Sequence, residues 1–174
     1  MNNKNNFYIF LDFDGVFNYF DLIKKTKKRN LHVEKALYIC PKTISVFNRI
    51  LSELRNNNFN PKIVIHSDRR FQDMDELLEQ FKKFGIDYED KYDRTGFIDK
   101  GERRVFDILK FISKNNIVDN FIIIDDNVRD IKKYFPEDKI LETSGLHDCG
   151  LSEENFKDFK KNKFQKNINN KNKR

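Results

Sequence analysis

The sequence predicts an α/β fold in which a mainly parallel sheet lies between helices on both faces. Short, uninterrupted apolar runs alternate along the 174 residues with segments of helical periodicity, and several of the runs end directly in polar residues. Continuous apolar runs are typical of strands that are buried on both faces, as in parallel sheets. Strands that alternate with helices favour a doubly wound arrangement.

Four apolar runs are predicted to be strands. They lie at 7–13, 63–65, 121–124 and 140–141. The carboxyl ends of parallel strands share one edge of a sheet, and open α/β folds bind their ligands at that edge. The residues that directly follow these runs are therefore the first candidates for a functional site.

Helical stripes of apolar residues separate and follow the strands. They lie at 44–54, 71–81, 105–112, 128–135 and 156–159. Pro41 suits the first turn of the first helix, Gly85 suits the end of the second, and Ser152 can cap the last. Asp99 and Glu102 have the spacing of a capping box for the third helix. We interpret these stripes as core.

The net charge of +6 is concentrated at the C-terminus. Residues 157–174 hold eight Lys or Arg residues and one acidic residue, so residues 1–156 are close to neutral. We therefore predict one domain over residues 1–156 and a basic, disordered tail over 157–174.

A second basic run lies within residues 17–40, where we expect a flap or small insertion. Either basic segment can attract nucleic acid, although a solvated surface is the simpler interpretation of each.

Two cysteines, far apart in sequence and outside any CxxC pattern, argue against a disulfide or zinc site. The polar N-terminus does not have the pattern of a signal peptide, and no apolar run reaches 18 residues. We therefore expect a cytoplasmic protein without a membrane anchor.

Four groups of polar residues fall where strands end or a helix begins. Asp12 and Asp14 follow the first strand, Ser67 follows the second, Lys100 lies beside the capping box, and Asp125-Asp126 follows the 121–124 run. Crowded carboxylates favour a hard cation such as Mg²⁺ between them. Together with a hydroxyl and a fixed positive charge, they suit the binding and transfer of a phosphoryl group.

These four motifs, in this order, resemble those of the haloacid dehalogenase-like (HAD) superfamily. The resemblance spans about residues 7–155 and implies a three-layer Rossmann-like fold. It implies that Asp12 is the nucleophile that forms an aspartyl-phosphate and that Asp14 is the general acid/base. Ser67 is then expected to hydrogen-bond the phosphoryl group, and Lys100 to steady the nucleophile and the phosphate charge.

The resemblance also implies a Mg²⁺ site. Its expected ligands are Asp12, the backbone carbonyl of Asp14, and Asp126 or Asp125. We favour Asp126, because its spacing to Asp130 matches a second form of the motif in which Asp130 supports the metal. Gly15 is expected to allow the sharp turn between Asp14 and the rest of the first motif.

The segment after Ser67 departs from the HAD patterns that it otherwise resembles. Arg69 stands where some HAD groups carry an aromatic residue, which leaves the role of Arg69 open, and a surface arginine is the simpler interpretation. His66 is close enough in sequence to reach the site, but a structural strand-end histidine is the simpler interpretation. We assign no role to the other two histidines.

Little of the chain is left over for a cap domain. Only 32 residues separate Ser67 from Lys100, and residues 17–40 are too few for a large cap. An open site suits a bulky substrate, and the first two motifs resemble, more weakly, the small HAD domains associated with RNA-repair proteins. Candidate phosphate contacts would then include Arg70 and the basic run Lys24, Lys25, Lys27, Lys28 and Arg29.

The sequence therefore predicts a Mg²⁺-dependent phosphomonoester hydrolase that acts on a bulky, nucleotide or nucleic-acid phosphate. Asp14 at the second motif position favours hydrolysis, while a phosphotransferase or phosphomutase stays open. Two alternatives remain: a phosphatase of small metabolites, and a non-catalytic nucleic-acid-binding protein on a HAD scaffold. The sequence does not determine the oligomeric state.

Overall fold

Five strands of the described residues pair in one parallel sheet, which confirms the predicted α/β fold. The computed structural model describes residues 5–18, 39–67, 73–88, 90, 92–96, 103–144 and 150–165. The strands are β1 (Asn5–Leu11), β2 (Phe59–Ile65), β3 (Asp93–Arg94), β4 (Phe121–Asp125) and β5 (Ile140–Glu142). Their spatial order is β3-β2-β1-β4-β5, and every neighbouring pair is parallel. β1 therefore lies at the centre of the sheet.

In the described part of the chain, four α-helices cover the two faces of this sheet. They are α1 (Pro41–Asn56), α2 (Met74–Lys83), α3 (Arg103–Lys114) and α4 (Glu153–Lys160). Apolar side chains of α1, α2 and α4 pack with one set of strand residues, and those of α3 pack with the alternate set. Ile9 faces the first layer and Phe10 faces the second, as expected from the two-residue period of a strand.

The helix boundaries follow from local signals in the sequence. Pro41 occupies the first turn of α1, and Asp73 caps α2 by accepting the backbone N–H groups of Asp75 and Glu76 at 2.9 and 3.1 Å. Gly85 follows α2 with a φ of +81°, a conformation that ends helices. Ser152 forms a capping box with Asn155 at the start of α4. The capping box predicted for α3 lies outside the described residues.

Some predicted boundaries were wrong. β1 ends at Leu11 rather than at residue 13, because Phe13 turns away from the ladder and stacks on Phe81. The predicted helix over 128–135 is only a 3₁₀ turn at Ile131–Lys133. β3 was not predicted, because its two exposed residues carry no apolar pattern and pair only with the end of β2.

The predicted tail begins too early. Residues 157–165 are helical, with α4 running on into a π-helical turn at Lys161–Gln165. Phe159 is fully buried and contacts Phe7 of β1 and Phe164 of this turn, with ring centroids 6.4 and 5.7 Å apart. Basic composition concealed this apolar face, which holds the segment to the core. Residues 166–174 and 19–38 lie outside the described residues, so most of the predicted flap does too.

Within the described part of the chain, none of the helices is both long and apolar enough to cross a membrane.

Candidate active site

Three carboxylates meet at the carboxyl edge of the sheet. Asp12 directly follows β1, Asp125 is the last residue of β4, and Asp126 comes next. Since Leu11 pairs with Ile124, the two strands deliver these residues to the same place. One oxygen from each carboxylate lies within 4.8 Å of the others. The structure thus brings together the predicted nucleophile and both predicted metal-ligating aspartates of the fourth motif.

Two of these carboxylates are buried and held by hydrogen bonds. Asp12 is 2% exposed, and its Oδ1 accepts the backbone N–H of Phe13 at 2.7 Å. Asp125 is fully buried, and its Oδ1 accepts the backbone N–H of Asn127 at 2.7 Å. Asp126 is half-buried. The first two carboxylates therefore have fixed orientations, while Asp126 faces partly outward.

Burial makes the negative charge of this cluster costly. Burial raises the pKa of Asp12, while the Arg104 guanidinium partly opposes that rise. Burial and the neighbouring Asp12 charge raise the pKa of Asp125 to about 7. Burial also raises the pKa of Asp126. Three such carboxylates are a donor set that fits Mg²⁺, because a bound cation would offset the charge that burial disfavours.

Arg104 is a site residue that sequence reasoning missed. It lies in the first turn of α3, and its Nη1 donates to Asp12 Oδ2 at 2.8 Å and lies 3.6 Å from Asp125 Oδ2. Its side chain is 35% exposed, so Arg104 lies between the buried carboxylates and the solvent. The available signal was its place at the start of a helix that begins at the carboxyl edge of the sheet. Pattern alone could not select it over the neighbouring basic residues.

The side chain of Asp126 lies directly against Gly15. Gly15 has a φ of +80°, and a Cβ at this position would lie 2.2 Å from Asp126 Cγ. The turn after β1 therefore needs glycine both for its backbone conformation and to admit the carboxylate. In this way the first and fourth motifs touch directly.

Asp14 lies beside the cluster rather than within it. Among the described residues, the cluster comprises only Asp12, Asp125 and Asp126. The Asp14 side chain is exposed, and its Oδ1 accepts Nδ2–H of Asn18 at 2.7 Å. The position is open to a reacting group, which suits a residue expected to exchange protons. Asn18 was not singled out from the sequence, because a lone asparagine four residues on carries no distinctive pattern.

The end of β2 contributes two more buried polar residues. Ser67 is 1% exposed and His66 is fully buried. His66 donates its backbone N–H to Leu11 O at 3.1 Å, which aligns the end of β2 with the end of β1. Its Nε2 lies 3.6 Å from Asp125 Oδ2. The histidine interpreted as structural thus lies against the acidic cluster.

Asp130 is not brought into the cluster. Its carboxylate accepts Nζ–H of Lys133 at 2.7 Å on the surface, and this contact lowers its pKa. The spacing that suggested metal support instead places Asp130 beyond the turn, next to the 3₁₀ segment. Lys100, Arg70 and the basic run at 24–29 lie outside the described residues.

The sequence pattern of one family matches most of the chain. That family is described as the HAD domain in Swiss Army Knife RNA repair proteins, and the match covers residues 8–156.

The chain belongs to this HAD family.

The matched residues include the last four residues of β1, the whole acidic cluster and the strands between them. No curated protein and no solved structure matches this chain. Membership supports a hydrolase of the HAD type in general, and the described site is compatible with that class.

Proposed function

We propose that this protein is a Mg²⁺-dependent phosphomonoesterase that acts through an aspartyl-phosphate on Asp12. The observation that carries the proposal is a buried Asp12 at the end of the central strand, grouped with Asp125 and Asp126 and bound by Arg104. A nucleophile must be held rigidly at the point where the substrate arrives. A strand-end carboxylate with both oxygens engaged meets that requirement.

Asp12, Asp125 and Asp126 would hold the metal. Bound Mg²⁺ would supply positive charge that neutralises phosphate oxygens and keeps the carboxylates ionised. These three carboxylates fit Mg²⁺ for two reasons. Each offers an oxygen atom as ligand, and burial penalises the negative charge of the cluster when no cation neutralises it.

In the first step, a carboxylate oxygen of Asp12 attacks phosphorus. The bond from phosphorus to the ester oxygen breaks, and Asp14 gives its proton to the departing oxygen. In the second step, Asp14 takes a proton from water as the water oxygen attacks phosphorus. The Asp12–phosphorus linkage breaks, which releases phosphate and restores the Asp12 carboxylate and the protonated Asp14.

Arg104 supplies a fixed positive charge in this scheme. The guanidinium already contacts Asp12, and its side chain is 35% exposed, so it is accessible to an entering phosphoryl group. Positive charge placed before the reaction stabilises charge that develops during it. Ser67, buried at the end of β2, is the proposed hydroxyl partner of the phosphoryl group.

We propose a nucleic-acid end or nucleotide as the substrate. The family description, which names RNA repair proteins, supports this choice. So does a pair of exposed aromatic side chains, Phe106 of α3 and Tyr134, whose ring centroids are 5.6 Å apart. Exposed aromatic rings can stack on unpaired bases. Phe106 lies on the helix that also carries Arg104.

The test is hydrolysis of phosphorylated substrates by wild type and by Asp12→Asn. We expect the variant to lose activity by on the order of 10³-fold or more, because an amide is not a nucleophile for phosphorus. Substrates should include oligonucleotides with a 3′- or 5′-phosphate, nucleotides, sugar phosphates and phosphopeptides.

Asp119→Asn is the matched control. It makes the same chemical change at a side chain that is 83% exposed and lies before β4, at the opposite end of the strand from the site. Equal hydrolysis by wild type and Asp12→Asn would remove Asp12 as the nucleophile. Oligonucleotide binding without any hydrolysis would favour the non-catalytic alternative.

A further inference from the structure

A buried asparagine holds the side chain of Asp14. Asn18 is only 2% exposed and lies at the end of the turn after β1. Its Oδ1 accepts the backbone N–H of Gly15 at 2.8 Å, and its Nδ2 donates to Asp14 Oδ1 at 2.7 Å. Reversing the amide would set a donor against the Gly15 N–H and an acceptor against the Asp14 carboxylate. The two contacts therefore determine the orientation of the amide.

Gly15, the residue that anchors Asn18, is itself held in place. The carbonyl oxygen of Gly15 accepts Oγ1–H of Thr143 at 3.0 Å, just beyond β5. Asp126 occupies the space that a Cβ of Gly15 would need. The Asn18 amide is thus bound to a residue that is held in place, and it in turn holds the exposed side chain of Asp14.

We propose that Asn18 is the positioning residue for the acid/base function of Asp14. This inference rests on the proposed phosphomonoesterase function. An exposed aspartate side chain has several rotamers of similar energy, and ordering it costs conformational entropy. Because the Asn18 amide holds one oxygen, the carboxyl group keeps one orientation before the substrate binds.

The rate enhancement that Asn18 provides by positioning Asp14 should depend on the leaving group of the substrate. As the phosphorus–oxygen bond breaks, the electron pair moves to the ester oxygen and the proton of Asp14 is transferred to it. An alkoxide is a poor leaving group and needs that proton, whereas nitrophenolate is stable without it. Misplacing Asp14 should therefore slow alkyl esters far more than p-nitrophenyl phosphate.

The experiment measures kcat/KM for a nucleoside monophosphate and for p-nitrophenyl phosphate in wild type, Asn18→Ala and Asn18→Asp. We expect both variants to lose about 10- to 100-fold on the alkyl ester, a part of the range typical of general acid–base catalysis. On the aryl ester we expect a loss of less than about threefold.

Asn18→Asp helps to distinguish misplacement of Asp14 from a simple folding defect. It has nearly the shape of asparagine and can still accept the Gly15 N–H, but it turns a carboxylate toward Asp14 in place of the donor. Burying this additional negative charge should lower the melting temperature, but a loss of folded protein lowers the hydrolysis of both esters equally. The alkyl-ester activity should fall as far as that of Asn18→Ala, while the aryl-ester activity is largely kept. This combination would not arise from a merely structural role.

Asn57→Ala is the matched control. Asn57 also donates its amide N–H to a carboxylate, that of Glu53 at 3.3 Å, on the exposed end of α1. It should leave the ratio of the two kcat/KM values unchanged. Equal losses on both esters, or no loss in either Asn18 variant, would overturn the positioning role while leaving the phosphatase proposal intact. A wild type that hydrolyses no phosphate ester would overturn both proposals.

Discussion

At the scale of single residues, the described part of the site combines negative charge that is costly to bury with the positive charge of Arg104. Asp12 and Asp125 are nearly inaccessible, and Arg104 is the positive group that the described residues place beside both. A guanidinium and a metal ion would both be attracted to these oxygens. Their competition and the protonation of Asp125 can each be measured.

Replacing Arg104 by glutamine should change metal affinity and turnover in opposite directions. Removing a positive charge from beside Asp12 lowers repulsion toward Mg²⁺, so we expect tighter binding by about fivefold. Turnover should fall by about 10²-fold, because the charge that faces the phosphoryl group is lost. Calorimetric titration with Mg²⁺ measures the first effect, and steady-state kinetics measures the second.

Lys110→Gln is the control for this pair of measurements, since it removes a charge from an exposed position on the same helix. It should change neither quantity by more than about twofold. Weaker Mg²⁺ binding in Arg104→Gln would mean that Arg104 orders the carboxylates rather than competing with the ion.

The pKa of Asp125 predicts a pH-dependent stability of the metal-free protein. Its folded pKa is about 7, against an ordinary value of 3.8. The folded state therefore holds a proton that the unfolded state releases. The resulting stabilisation is complete below the ordinary pKa and is lost as pH rises through about 7.

Urea unfolding of wild type and Asp125→Asn at pH 5 and pH 8, with a chelator present, tests this linkage. We expect wild type to lose stability relative to the variant between the two pH values. Mg²⁺ affinity of wild type should rise over the same range, because binding displaces the proton. A relative gain in wild-type stability toward pH 8 would be inconsistent with a raised pKa.

At the scale of elements, the site depends on where strands and helices end. The ends of β1, β2 and β4 supply Asp12, Ser67 and Asp125, and the start of α3 supplies Arg104. α4 has a different function, because it covers the core behind β1 through Phe156 and Phe159. The family match ends at residue 156, but α4 continues to Lys160. Changes in the last part of α4 therefore test where the folded domain ends.

Phe159→Ala should lower the free energy of unfolding by about 3–5 kcal/mol, the usual cost of removing a fully buried phenylalanine. Truncation after residue 156 should be at least as destabilising, whereas truncation after 165 should be nearly neutral. Denaturant midpoints measure all three changes.

Lys157→Ala, an exposed change on the same helix, serves as the control and should shift the midpoint little. Wild-type stability after truncation at 156 would show that α4 is dispensable and would restore the earlier predicted boundary.

At the scale of the whole molecule, substrate choice should depend on surface outside the acidic cluster. The described chain exposes three large apolar side chains, and two of them, Phe106 and Tyr134, form one pair. The third, Val118, lies elsewhere and is 80% exposed. The aromatic pair therefore provides the test, and Val118, away from the pair, provides the control.

Replacing both Phe106 and Tyr134 by alanine should raise KM for a phosphorylated single-stranded oligonucleotide by about tenfold, since stacking on each base is worth roughly 1–3 kcal/mol. Glycerol phosphate, which has no base, should show no such change. Val118→Ala should behave as wild type with both substrates. Equal KM values across these proteins would contradict a nucleic-acid substrate bound at this surface and favour a small-metabolite phosphatase.

Much of the architecture could be predicted from sequence because its signals are local. The central strands are continuous apolar runs, and Pro41, Gly85 and Ser152 mark helix ends through their own backbone or capping chemistry. Parallel pairing then places the residues after these strands at one edge. The convergence of Asp12 with Asp125 and Asp126 thus follows from the order of the elements.

Other features were decided by tertiary contacts. β3 forms because the end of β2 offers it hydrogen-bonding partners, and residues 157–165 are ordered because Phe159 finds a buried site against β1. Arg104 reaches Asp12 because α3 begins at the sheet edge in one particular rotation. Asn18 contacts Asp14 because the turn around Gly15 folds back on itself. Sequence determines which groups are present and the order of the elements, whereas the direction of a side chain depends on packing between segments far apart in the chain.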